Sequence, residues 1–183
     1  MNWLQEAFLE PTMVQAVIII SLVSALGLYL GRIKIFGISL GITFVFFAGI
    51  FAGHLGIVVN KDMLYFAQSF GLILFVYALG LQVGPGFFSS LKKGGVAMNM
   101  MGLGVILLGL IMTVSLHWVT GVSLSNMVGL LCGAVTNTPA LGAAQQALLQ
   151  IDPANTKGVT DMALACAVAY PLGVVGVILA III

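Results

Sequence analysis

The chain has 183 residues, 61% of them hydrophobic and 6% charged, with a mean hydropathy of +1.22. Soluble domains carry about 25% charged residues, so the composition is that of an integral membrane protein. A net charge of +1 leaves no basic footprint for nucleic acid. Five carboxylates, nearly all between the apolar runs, are too poor an inventory for general acid–base catalysis.

The chain opens on polar and acidic residues (Glu6, Glu10), and its first apolar run is as long as a full span. No cleaved signal peptide is therefore expected. A span needs about 20 apolar residues, and the charges divide the sequence into six such segments. The first is 13–31, followed by Arg32 and Lys34. The second is about 37–53, and the turn V-V-N-K-D leads to the third, 63–82, which runs into Gly84, Pro85 and Gly86. Lys92 and Lys93 precede the fourth, 96–118, whose end at Trp118 suits a membrane interface. The fifth is 124–149, and the sixth, 159–183, follows Asp152, Pro153 and Lys157. None alternates with period two over ten residues, which excludes a membrane β-barrel.

Basic residues in short loops mark the cytoplasmic side. Arg32, Lys34, Lys92 and Lys93 share one side and Lys61 stands alone on the other. This places the N-terminus outside. With so few charges inside the spans, helix packing must rest on small residues. The pairs Gly27/Gly31, Gly37/Gly41, Gly49/Gly53, Gly80/Gly84 and Gly129/Gly133 point to a tightly packed bundle.

The fifth segment carries the strongest functional signal. It begins as a membrane helix, then meets Thr136, Asn137 and Thr138 followed by Pro139, with Gly142, Gln145 and Gln146 beyond. Proline removes a backbone donor and pushes its predecessor out of helical geometry. A break at 136–139 is expected, with backbone groups freed among polar side chains. Such a break is tolerated only where it is buried in protein or lines a water-filled cavity, and broken helices build substrate sites in many transporters. A plain kink is the alternative. Two topologies follow: five transmembrane helices plus a broken, re-entrant segment at about 124–150, or six plain spans.

The stretch L-G-L-Q-V-G-P-G-F-F is expected to end the third helix at Gly84, Pro85 and Gly86. It reads either as a stop with a tight turn or as a second opening that offers Gln82 and free amides to a ligand. Asn99 reads as an interhelical hydrogen-bonding residue, and Ser21, Ser24, Thr43 and Thr113 as bonding back to helix carbonyls. Asp161 reads as a first-turn charge on the last helix and, secondarily, as an intramembrane ionisable group. Tyr170 and Pro171 are expected to break that helix near its middle, where they could face the same cavity. His54 and His117 fall at span ends. Cys132 and Cys166 lack metal-ligand spacing and read as small packing residues. No catalytic set, metal site or cofactor motif is present.

The motifs G-L-Q-V-G-P-G-F at 80–87 and G-A-V-T-N-T-P-A-L-G-A-A at 133–144, with the order of segments around them, resemble the N-terminal membrane half of the aspartate:alanine exchanger family. The likeness spans nearly the whole chain. It implies a multi-pass protein of the bacterial cell membrane, a secondary transporter that exchanges amino acids or small dicarboxylates by alternating access. It also implies two membrane halves related as inverted repeats and joined by cytoplasmic regulatory domains. The C-terminus of the half would then be cytoplasmic, which favours five spans plus the re-entrant segment. By resemblance, Thr136, Asn137, Thr138 and Pro139, with Gly133, Gly142, Gln145, Gln82, Gly84, Pro85 and Gly86 around them, line the path of a small carboxylated solute. The regulatory domains and second half are absent from the 183 residues. The expected partners are therefore membrane lipid and either a second copy or a separate second half. Competing readings are a non-transporting assembly or regulatory subunit, and a channel-like pore with the re-entrant segment as its filter.

Overall fold

The computed structural model describes residues 11–35, 38–39, 41–90 and 95–182. Glu6, Glu10, Gly37, Lys92 and Lys93 lie outside them. The protein is an α-helical integral membrane protein, with seven helices among the described residues: α1 Met13–Gly31, α2 Thr43–His54, α3 Lys61–Ser90, α4 Val96–Thr120, α5 Leu124–Ala134, α6 Thr138–Ile151 and α7 Thr156–Ile182. Helices α1, α3, α4 and α7 are long and apolar enough to cross a membrane, while α2 and α5 are shorter apolar helices. The chain forms two compact units, Met1–Ser69 and Phe70–Ile183.

In the first unit α1 begins at Thr12, whose hydroxyl accepts the Gln15 N–H at 3.1 Å. Two-residue strands, β1 Lys34–Ile35 and β2 Ile38–Ser39, pair antiparallel and turn the chain back. The second expected segment is only partly helical. Helix α2 has 12 residues, about 18 Å at 1.5 Å per residue. The chain around it nevertheless retraces all of α1. The Gly41 N–H donates to Gly31 O at 3.1 Å at one end, and Gln15 Nε2 donates to Val58 O at 2.9 Å at the other. A methyl group on Gly27 would collide with Val45, and one on Gly31 with the Gly41 carbonyl. Here the small-residue pair works as expected, letting two backbones touch. Gln15 is buried, and its Oε1 has no hydrogen-bond partner among the described residues.

Two expected helix ends are not ends. Asn60 Oδ1 accepts the Met63 N–H at 3.0 Å and starts α3, which then runs without interruption through Gly84, Pro85 and Gly86 to Ser90. Helix α7 runs equally through Tyr170 and Pro171. A proline costs one N–H donor and a clash at the preceding turn, but in an apolar helix of 27 or 30 residues the many remaining bonds carry the helix past it. Helix α7 also starts earlier than the charges suggest, because Asn155 Oδ1 accepts the Gly158 N–H at 2.9 Å. Asp161 therefore lies beyond the first turn, which holds no acidic residue, and is not a dipole cap.

Not every glycine pair is packed among the described residues. A methyl group at Gly49, Gly53, Gly80 or Gly84 would meet nothing within 4 Å. No residue of α3 is buried. Among the described residues, the tight packing expected of the glycine pairs is found for Gly27/Gly31 on α1 against α2 and for Gly129/Gly133 on α5 against α7; Gly37 of the pair Gly37/Gly41 lies outside them.

Candidate functional site: a helical hairpin halfway along the last helix

The fifth segment breaks at residues 135–137. Val135 closes α5, its N–H bonded to Leu131 O at 3.0 Å. The Thr136 N–H then donates to Gly133 O at 3.0 Å and the Asn137 N–H to Cys132 O at 2.8 Å. This paired pattern normally ends a helix with glycine in the left-handed conformation. Thr136 occupies that position, with φ 53°, and is the one non-glycine residue with positive φ among the described residues. A β-branched side chain there is strained, at a cost of about 1–2 kcal/mol.

Asn137 serves both helices. Its N–H closes α5, and its Oδ1 accepts the Ala140 N–H at 3.0 Å and caps α6. Pro139 lies in the first turn of α6, where an amide hydrogen has no intrahelical partner anyway. So the proline starts the second helix, and the break falls just before it.

The direction of each helix can be read from its contacts with α7. Helix α5 runs parallel to it. A methyl group on Gly129 would strike Met162 O, and one on Gly133 would lie 2.5 Å from Cys166 O and 2.9 Å from Ala169 Cβ. One on Gly173 would lie 2.6 Å from Ala134 O. Helix α6 runs antiparallel: Gln145 Nε2 donates to Val159 O at 2.9 Å, and Leu148 reaches back to Gly158. The two ends of the segment converge, since a methyl group on Gly158 would lie 2.8 Å from Leu148 Cδ2 and 3.1 Å from Ser125 Oγ. Helices α5 and α6 thus form a hairpin whose ends sit together at the start of α7.

The tip lies near the middle of α7. Tyr170, 5% exposed, donates its hydroxyl hydrogen to Thr136 O at 3.4 Å. It lies about 21 Å along a helix of about 40 Å, at 1.5 Å per residue from Thr156. Neither α5, with 11 residues, nor α6, with 14, reaches the roughly 30 Å of a hydrocarbon core. Neither crosses alone, and the contacts of Ser125 and Leu148 at Gly158 are what show the two folding back on each other.

Of the residues expected to form a site, Thr136, Asn137, Thr138 and Pro139 share the tip, and Tyr170 joins them. The Asn137 side chain is exposed. Gly133 is a packing position, and Gln145 ties α6 to α7; Gly142 lies on α6 away from the tip in sequence. Gln82, Gly84, Pro85 and Gly86 are exposed along α3, whereas the hairpin packs against α7 and, through α5, against α4. Asn99 lies in a separate 520 Å³ groove between the end of α3 and the start of α4. Gly173 and Ala169, which receive α5, had no motif to mark them. Thr136's conformation was equally hidden, because threonine disfavours it. No group of three or more metal-ligating side chains occurs among the described residues.

A multi-pass α-helical membrane protein with a broken hairpin halfway along its last helix has the build of a permease membrane domain. The chain belongs to the aspartate:alanine exchanger family, whose model, described as "Predicted Permease Membrane Region", matches residues 19–183. It is similar to an uncharacterized transporter of Bacteroides thetaiotaomicron, 61% identical over 181 residues that make up 99% of this chain and 32% of that protein. An uncharacterized transporter of Porphyromonas gingivalis is 60% identical over 98% of this chain and 32% of its own. Another, of Bacteroides fragilis strain YCH46, is 53% identical over 91% and 29%. The chain therefore spans about a third of the length of these relatives. No solved structure gives a significant match.

Proposed function

We propose that the chain forms one membrane half of a secondary transporter that exchanges amino acids or small dicarboxylates by alternating access. The hairpin tip would supply this half's share of the substrate path. The observation that carries the reading is the tip itself: a strained Thr136 and an exposed Asn137, held near the middle of α7. Backbone strain persists where the surrounding structure enforces it, and it clusters at functional sites. Helix α6 points its N-terminus, the positive end of its dipole, at the tip, an orientation that favours a carboxylate. Inverted repeats build such sites from one broken element per half, so a second broken element from the rest of the transporter would complete the path. In this reading the N-terminus lies outside the bacterial inner membrane and the C-terminus in the cytoplasm.

The test is an exchange assay in proteoliposomes. The protein is this chain continued by the remaining two-thirds of the Bacteroides thetaiotaomicron relative, with L-aspartate outside and L-alanine inside. Asn137→Ser keeps a side chain able to cap α6 but removes the amide. Loss of exchange with unchanged insertion and melting supports the reading. Exchange at the unsubstituted rate contradicts it, and conductance without counter-substrate would favour a pore.

A further inference from the structure

Helix α7 carries small residues at a spacing that keeps them on one face: Ala165, Ala169, Gly173, Gly176 and Ala180. The first part of this face is filled by α5, through Gly129 and Gly133. Helix α5 stops at Ala134, beside Gly173, but the face continues. Beyond the tip it becomes an open apolar groove of 470 Å³, lined by Leu130 and Ala134 on α5 and by Gly173, Gly176 and Ala180 on α7. A methyl group on Gly176 would meet nothing within 4 Å.

We infer that this groove seats a membrane helix from the part of the full-length transporter that lies outside these 183 residues, packed end to end with α5 along α7. The inference rests on the reading of this chain as part of a larger transporter. Three observations point to that occupant. Small residues on the face by which α7 receives α5 recur at helical intervals into the open half, at Gly173, Gly176 and Ala180, and small residues at such intervals serve close helix approach in membranes. The groove is lined by Ala134, the last residue of α5 before the break, so an occupant there would continue the line of α5 past the tip. The relatives carry about twice as much chain again beyond the matched third. A helix tethered in the same polypeptide outcompetes a second copy through its high effective concentration.

The test uses the same full-length chimera, with a protease site at the junction and the photo-cross-linker p-benzoylphenylalanine at Gly176, at Ala180 or, as control, at Val175, which does not line the groove. Illumination is expected to keep the two parts joined after cleavage for the probes at Gly176 and Ala180, and not for Val175. Cross-linking to a second copy, or to lipid alone, would overturn the inference. So would equal products at all three positions. The corresponding positions of the intact Bacteroides relative give a second measurement that needs no chimera. At Gly176 an added Cβ meets nothing within 4 Å among the described residues, so Gly176→Leu is expected to leave the melt of this chain unchanged but to abolish the cross-link from Ala180. Exchange is scored separately: cross-linking without exchange would sink the transporter reading and leave the groove, and exchange without cross-linking would do the reverse.

Discussion

The hydroxyl of Tyr170 on α7 donates to the main-chain carbonyl of Thr136, the residue held in the left-handed conformation at the hairpin tip. The bond ties the strained point of one element to the middle of another. Tyr170→Phe keeps the buried ring and removes the donor. It should lower stability by about 0.5–1.5 kcal/mol and loosen the tip. A thermal melt in detergent checks the first effect, and faster maleimide labelling of a cysteine at Val135 checks the second. An unchanged melt and labelling rate would show that the bond holds nothing.

Thr136→Gly separates strain from function. Relief of the left-handed conformation gives back about 1–2 kcal/mol, while glycine's added freedom in the unfolded chain takes away about 0.5–1 kcal/mol. The strain term is the larger, so a modest net stabilisation of up to about 1.5 kcal/mol is expected. If Thr136 contributes to the substrate path, exchange falls even as the melting temperature rises. Alanine or valine in its place should bring no such stabilisation, since each retains a Cβ.

The glycine pairs should sort by their neighbours. Gly133→Leu forces a side chain into the Cys166 carbonyl and Ala169, where backbone cannot yield. Overpacking of this kind costs about 1–3 kcal/mol or more and should undock α5 from α7. At Gly80 and Gly84 an added Cβ meets nothing within 4 Å among the described residues. Gly80→Ala and Gly84→Ala should therefore leave the melt unchanged or raise stability by up to about 1 kcal/mol, since glycine inside a helix is less stable than alanine by that order. Melting curves of the three variants, read together, decide this. Equal losses would contradict the packing described.

Gln145→Leu removes the side-chain donor to Val159 O, a carbonyl that lies within helix α7. A loss of about 0.5–1.5 kcal/mol is expected, with Gln145→Glu failing to rescue it because a carboxylate cannot donate. Were Gln145 a substrate ligand instead, exchange would fall with the melt unaltered.

Segment positions could be read from the sequence because charges and hydropathy mark where chain leaves lipid. Met13–Gly31 matches its helix end to end, and the fourth segment starts at Val96 as read. The break in the fifth segment was legible from Thr136 through Pro139. Its direction was not. Whether α6 continues away from α5 or folds back depends on where Leu148 and Ser125 find Gly158, a contact that no local pattern encodes. Pro85 and Pro171 misled for a related reason. A proline reads as a stop by itself, yet a long apolar helix passes through it, whereas Pro139 coincides with a real boundary because Asn137 caps the helix that follows. The second segment's short helix was also hidden, because hydropathy does not distinguish helix from the extended and turning chain that completes its length.

The most direct measurement is sidedness of the two ends of the fifth segment. Single cysteines at Leu124, Asn137 and Ala154, in a chain with Cys132 and Cys166 replaced by alanine, are labelled with a membrane-impermeant maleimide from each face of the membrane. The hairpin predicts that Leu124 and Ala154 react from the same side, with Asn137 reachable through water from at least one side. Reaction of Leu124 and Ala154 from opposite sides would contradict it, making residues 124–151 a kinked crossing and removing the tip from the substrate path.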